Sequence, residues 1–400
     1  MPRMLKDDSL ETDELAIGGA VLESRLPEFI SGPSHAAEII RRLRIAVVSS
    51  GSVASRAADN LARMHVAELS LFDPARFKLE SLLTHAISPA AVGHFKAEWV
   101  AQGLRRLGRS RVTAHMQRIQ DVRPSLLADF DAVLLASDNL GCETYVGELC
   151  HRLGLPLFHA AVHGETLTAQ VRTFANVGPE SPCPACLFND VEWQAHDEET
   201  KFSCQGGSVT RGTPTMSTPF LCSIAADVAC TQIVRHFLGL GAPVGDTLVS
   251  HCGFTHRVTQ SPLKRRLDCR CEHAVWRRAL IHSPLPTLTA DDLLVAAQLP
   301  AGSRNGNTLH VEGHAFACEA TCCGTRQPIG RFIAAGQSPN LTCRECSQKL
   351  VVSPFHLRRE APWELLPSQT PLGELGVSSL VGALVGDGEQ ACLIHLPRNP

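Results

Sequence analysis

Arg44-Ile45-Ala46-Val47-Val48-Ser49-Ser50-Gly51-Ser52-Val53-Ala54-Ser55 is the stretch that decides the fold. Ile45 to Val48 is short, apolar and mostly β-branched, which is the composition of a strand buried on both faces. A turn of small residues follows, Ser49 to Ser55. From Arg56 to Met64 the spacing is helical, with Ala57, Leu61 and Met64 on one face. Glu68 to Phe72 reads as a second strand, and it ends on Asp73. Strand, small-residue turn, helix and strand-end carboxylate together form the nucleotide-binding half of a Rossmann-type fold. Backbone N–H groups at the helix start face phosphates there, and the carboxylate accepts ribose hydroxyls. The glycine fingerprint is incomplete, because its positions are filled by Ser49, Gly51 and Ala54. Alanine at the third position still packs helix on strand, whereas serine at the first resists the tight turn that glycine permits. Two readings therefore stand for the loop: a nucleotide cradle built on Gly51, Ser52, Ala54 and Ser55, or a βαβ turn that holds no ligand.

Further along, Ala90 to Leu107 reads as helix, Arg111 to Ile119 as a third strand, and Leu127 to Ala136 leads into a fourth that ends at Ser137-Asp138-Asn139. Cys142 to Leu153 reads as helix and Leu155 to Ala161 as a fifth strand. This alternation predicts an α/β domain over residues 41–275, a mostly parallel sheet covered by helices. Residues 1–40 read as a polar and helical extension, and 276–400 as a separate piece.

The chain has 400 residues, 44% of them hydrophobic and 19% charged, which suits a globular protein with a substantial core. A formal charge of −3 offers no electrostatic footprint for nucleic acid or a membrane surface. The opening residues lack the apolar run of a secretory signal, and the longest apolar stretch, Phe220 to Val234, is interrupted by Asp227 and Gln232. A cytoplasmic protein is expected. In such a reducing compartment the 16 cysteines read as zinc ligands where they pair. Cys183-x-x-Cys186 and Cys269-x-Cys271 predict one closed tetrahedral site, with His273 as an alternate ligand. Cys318-x₃-Cys322-Cys323 and Cys343-x-x-Cys346 have the layout of a zinc ribbon, and Cys323 is an alternate there.

On these motifs the chain resembles the ThiF/MoeB/HesA family, bacterial relatives of ubiquitin-activating enzymes. The match runs in order from the Ser49–Ser55 loop through Asp73, Gly93-His94-Phe95-Lys96, Ser137-Asp138-Asn139, Ser181-Pro182-Cys183-Pro184-Ala185-Cys186 and Ser203-Cys204 to Cys269 and Cys271. The resemblance implies ATP·Mg²⁺ binding and adenylation of the C-terminal carboxylate of a small ubiquitin-like or sulfur-carrier protein, or a peptide, by a homodimer. It implies roles for Asp73 on the ribose, Lys96 on the phosphates and Asp138 on Mg²⁺. Cys204 falls in the loop that crosses the nucleotide in relatives; it is either an acyl acceptor forming a thioester or an inert loop thiol.

The departures carry a second reading. Where the family has a second strand-end aspartate this chain has Ala75, and Ser81 and Thr84 take the places of its asparagine and arginine. Arg76 is a nearby candidate to replace that arginine. The alternative to an adenylating enzyme is thus a degenerate scaffold that binds a peptide or carrier protein for a partner enzyme. A nicotinamide dehydrogenase gives Ser137-Asp138-Asn139 and the cysteine pairs nothing to do.

Overall fold

The computed structural model describes residues 36–176, 178–200, 217–282, 285–299, 306–337, 341–386 and 390–395. Cys204 lies outside them. Ahead of the first strand comes helix α1 (Ala36–Arg42). The strands β1 (Arg44–Val48), β2 (Glu68–Phe72), β3 (Arg111–His115), β4 (Ala132–Leu135), β5 (Leu157–His163), β6 (Thr168–Phe174), β7 (Thr247–Cys252) and β8 (Arg257–Pro262) form one sheet in the order β3-β2-β1-β4-β5-β6-β7-β8. Pairing is parallel from β3 through β5 and antiparallel beyond it.

The strand pattern explains the two-sided burial. Ile45, Val47, Leu69, Leu71 and Leu134 point to one face, and Ala46, Val48, Phe72, Val133 and Leu135 to the other. On the first face lie α2 (Ser52–Arg63), α3 (Lys96–Arg105) and α7 (Pro219–Leu238). Alanines at 54, 57, 58 and 62 let α2 approach closely, and α7 packs on it through Leu221, Ala225, Ala229 and Ile233. That helix is long and apolar enough to cross a bilayer, but here its apolar residues supply core. The second face carries α5 (Leu140–Leu153), with α6 (Asp190–Thr200) beside it; α5 is capped by the Asn139 side chain accepting from the Cys142 N–H at 2.7 Å and ended by Gly154 at φ +67°.

Sequence patterning stopped at β5. The antiparallel extension β6–β8 has mixed composition, and β8 is exposed along its length, so no apolar run marks it.

Residues 277–395 form a second core. One sheet has the order β14-β10-β15-β16-β9, from β9 (Arg277–Leu280), β10 (Thr308–Val311), β14 (Ala361–Pro362), β15 (Gly382–Val385) and β16 (Cys392–His395). A smaller one pairs β11 (His314–Cys322) with β12 (Thr325–Ala334) and β13 (Leu357–Arg358). Trp363, Phe316 and Phe332 fill the space between. The ribbon expected from the cysteines is therefore one corner of a larger β unit. That unit docks on the short helix α4 (Pro124–Leu127): the buried Glu312 carboxylate accepts from the Ser125 N–H at 2.9 Å and from the Ser125 hydroxyl. Leu393 enters the core of the first domain.

Candidate nucleotide site and metal centres

Strand order places the site. Moving outward from β1, the chain goes to β2 and β3, then returns to β4 on the other side, so the crevice opens above the carboxyl ends of β1 and β4. Ser49 and Asp138 leave those ends. Two lobes of a cavity meet here, of about 330 and 420 Å³, sharing Ser49, Lys96, Ser137 and Asp138 along their common rim. The larger lobe runs under Phe72, Asp73, Arg118 and Cys142. The smaller runs past Gly51, Ser52 and His85 toward Glu143 and Arg172.

The loop achieves its turn without the first glycine. Ser49 sits at φ +87°, a left-handed conformation that costs a β-carbon-bearing residue roughly 1–2 kcal/mol. Its N–H donates to the Phe72 carbonyl at 2.9 Å and its Oγ accepts from the Gly51 N–H at 3.1 Å. Asp73 braces the same loop: Oδ2 accepts from the Ser50 N–H at 2.7 Å and Oδ1 from the Ala75 N–H at 2.8 Å. A carboxylate offers about four acceptor positions, so a ribose hydroxyl can still be taken. Gly51 caps α2, so the N–H groups of Ser52, Val53 and Ala54 have no intrahelical acceptor, and Ser52 and Val53 line the cavity. The Ser52 hydroxyl donates to the Thr84 carbonyl at 2.5 Å, Ala54 is buried packing, and Ser55 Oγ donates to the Ser52 carbonyl at 3.4 Å. Of the four loop residues expected to bind, Gly51 and Ser52 line the cavity by position.

Lys96 opens α3 and lines both lobes. Arg76 does not join it. Its guanidinium donates to the Gly93 carbonyl at 2.7 Å and lies 3.6 Å over the Phe95 ring, outside the cavity lining. Ser81 is buried, its Oγ accepting from the Lys78 N–H, and the Thr84 carbonyl is bound by Ser52 and by Arg56 at 3.1 Å. The side chain this segment sends to the cavity is that of His85. Burial, reinforced by the Lys96 charge, pulls its imidazole down to about 4, so it is neutral near pH 7.

At the far end of the smaller lobe, Glu143 lies 3.7 Å from His159 and 3.8 Å from Arg172. Complete burial, then the Arg172 charge, pulls His159 down to about 3, leaving arginine as the cation there. Burial pushes the Cys142 thiol up to about 11, which makes it an inert wall. No sequence motif marks Arg118, Glu143 or Arg172, and β6, which carries Arg172, has the mixed composition Thr-Ala-Gln-Val-Arg-Thr-Phe.

The first cysteine cluster gathers Cys183, Cys186, Cys269 and His273, with ligand atoms within 4.8 Å of one another. Cys183 Sγ lies 3.8 Å from Cys186, 3.7 Å from Cys269 and 3.6 Å from His273 Nε2, and Cys186 lies 3.6 Å from that nitrogen. A tetrahedral zinc with Zn–S of about 2.3 Å and Zn–N of about 2.05 Å needs edges of roughly 3.75 and 3.55 Å. His273 Nδ1 donates to the Ser181 carbonyl at 2.8 Å, which turns the Nε2 lone pair inward. The set fits zinc. Cys271 sits beside Cys183 and Cys269 but outside the four, and His273, the alternate ligand, stands at the fourth corner.

A sequence-family comparison matches the ThiF family model over residues 26–272. This chain belongs to the ThiF family. A relative of known name, the SAMP-activating enzyme E1 of Haloferax volcanii, is 29% identical over 153 residues, which is 37% of this chain and 54% of that protein. The chain thus spans about half the length of that relative. Among solved structures, E. coli MccB with ATP compares at TM-score 0.48 and 15% identity over 59% of this chain and 67% of its own. PaaA compares at TM-score 0.49 and 16% identity over 64% and 87%.

The second cysteine cluster lies beyond the residues matched to ThiF. Cys322, Cys323, Cys343 and Cys346 converge, with Cys322 Sγ 3.6 Å from Cys323 and 3.4 Å from Cys346. Cys322 pairs with Thr325, so Cys323 and Gly324 form a two-residue hairpin loop, at φ +54° and +75°. Positive φ at both positions is the tight primed turn, and it swings Cys323 onto the knuckle. Cys318 falls at a β-bulge and packs against the C-terminal core instead. The Cys-Gly pair between two strands was the signal that could have assigned Cys323.

Proposed function

We propose that this ThiF-family chain adenylates the C-terminal carboxylate of a small ubiquitin-like or carrier protein, or a peptide, with ATP·Mg²⁺, and does so as a homodimer. The observation that carries this reading is the cavity at the sheet's switch point, where Lys96 and Asp138 share one rim with the N-terminus of α2. The acceptor's carboxylate oxygen attacks the α-phosphorus, and the bond to pyrophosphate breaks. Magnesium, when bound, offsets the charge that gathers on the leaving pyrophosphate. Asp138 would hold that ion through its carboxylate, and Lys96 bears on the phosphate oxygens. The α2 amides stand at the phosphates, and Asp73 holds the loop and takes the ribose. The Haloferax relative is named for activating SAMP, which supports an activating role for this chain.

Zinc held at either cluster would serve structure, because Cys183, Cys186, Cys269 and His273, or Cys322, Cys323, Cys343 and Cys346, would fill all four positions and leave none for substrate.

A second reading, a scaffold that kept the fold and lost the chemistry, is favoured by one specific feature. Thr84, at the position where the family resemblance puts an arginine, brings no charge, and its carbonyl is bound by Ser52 and Arg56. Calorimetry with ATP·Mg²⁺, followed by pyrophosphate exchange with candidate acceptors, separates the two. The enzyme reading expects heat at submillimolar nucleotide. It also expects Asp138→Ala to cost more than about a thousandfold in exchange, some 4 kcal/mol of transition-state stabilisation. Lys96→Ala should in addition weaken nucleotide binding in the ground state. Absence of heat at millimolar ATP·Mg²⁺ leaves only the scaffold.

A further inference from the structure

A triphosphate in this cavity meets Lys96 on one side, and the arginine that the resemblance implies on the other is missing. The structure offers a different group there. The 3₁₀ turn Leu79–Leu83 and the residues after it are tied to the start of α2, because the Thr84 carbonyl accepts from both Ser52 Oγ and Arg56. That tie holds the next side chain, His85, against the wall that carries Gly51, Ser52 and Lys96. Its Nδ1 is 3.0 Å from Thr84 Oγ1, and the Phe77 ring meets it edge-on at 5.3 Å. Its Nε2 is buried and has no hydrogen-bond partner among the described residues. A buried polar nitrogen beside a cavity, next to a lysine and a helix N-terminus, is a group in want of an anion.

We infer that His85 is a phosphate ligand of the nucleotide, donating from Nε2 to the β- or γ-phosphate opposite Lys96. The inference rests on the nucleotide reading of the cavity and adds to it the residue that replaces the missing arginine. The charged groups acting on the ring are Lys96 from α3 and Arg56 from α2, and Asp138, Glu143, Arg172 and Glu192 complete the charged lining of the same lobe. In the free protein the two cations and burial keep the ring neutral. A polyphosphate beside Nε2 reverses that balance: the ring takes a proton from the buffer as the nucleotide binds, and the bound-state pKa lies above the free one. Affinity for ATP·Mg²⁺ therefore rises as pH falls toward the bound pKa and below it, at most tenfold per pH unit. AMP, which has no β- or γ-phosphate, gains nothing from this group.

Two measurements on the full chain test it. Calorimetry of ATP·Mg²⁺ at pH 6.5, in buffers of different ionisation enthalpy, should show proton uptake beyond that of the ligand's own phosphates, with no such excess for AMP. His85→Gln, checked for an unchanged melting temperature, should lose the excess uptake and weaken ATP·Mg²⁺ roughly tenfold at that pH, while AMP binding stays the same. ATP binding without the excess uptake overturns the inference and leaves the nucleotide site standing, as does an unchanged ATP affinity in His85→Gln. A wild-type chain that takes no nucleotide overturns both. ATP binding with the excess uptake but no pyrophosphate exchange keeps His85 as a phosphate ligand and removes only the enzyme reading.

Discussion

Replacing His273 by alanine and, separately, Cys271 by serine asks which residue closes the first zinc centre. Structural zinc sites contribute about 10–16 kcal/mol over four ligands, roughly 3 kcal/mol each at the lower end. At 1.4 kcal/mol per decade, losing one ligand weakens zinc binding by about two orders of magnitude. The geometry puts His273 Nε2 at 3.6 Å from both Cys183 and Cys186, on tetrahedral edges, and leaves Cys271 outside the set. His273→Ala is thus expected to lower zinc affinity about a hundredfold, and Cys271→Ser by less than about threefold. At fixed free zinc each lost decade removes about 1.4 kcal/mol of stability, so the alanine variant should also melt several degrees lower. His273→Cys restores a thiolate at the same corner and should recover most of the affinity. Competition with a chromophoric chelator, with elemental analysis after dialysis, reads both variants. If Cys271→Ser loses zinc while His273→Ala keeps it, the tetrahedron argued from these distances is wrong.

Ser49 and Glu312 give the remaining tests. Ser49→Ala keeps the left-handed strain and loses the bond to the Gly51 N–H, so it should cost about 1 kcal/mol in urea unfolding; Ser49→Gly relieves the strain, offsets that loss and should stay within about 0.5 kcal/mol of wild type. Equal stability of the two variants would mean that the turn carries no strain. Glu312→Ala leaves the buried Ser125 N–H and hydroxyl without their acceptor and should cost roughly 3 kcal/mol, seen as a lower urea midpoint; a loss below about 0.5 kcal/mol would show that the docking of the C-terminal sheet does not depend on this carboxylate.

The sequence by itself determined what short-range chemistry controls. Apolar β-branched runs gave the central strands, because a strand buried on both faces has no polar position to interrupt it. The loop, Asp73, Lys96 and Ser137-Asp138-Asn139 were found as a series because each sits at an element boundary, and the switch from β3 to β4 collects those boundaries on one edge. Cysteine pairs pointed to two clusters on spacing alone, and two groups of four donor side chains converge there. Only the tertiary structure decided which side chains gather in each cluster and which reach the cavity. Cys271 and His273 lie two residues apart on an irregular segment, as Cys322 and Cys323 lie adjacent in a hairpin loop. Direction at such places depends on the backbone torsions of a turn, which neither spacing nor composition fixes. Arg76 has the charge expected of a phosphate ligand yet stacks on Phe95, while His85, neutral in the free protein, is held at the cavity wall because the Thr84 carbonyl is bound to α2. Charge can be read along a chain; the direction a charge faces is settled by what packs behind it.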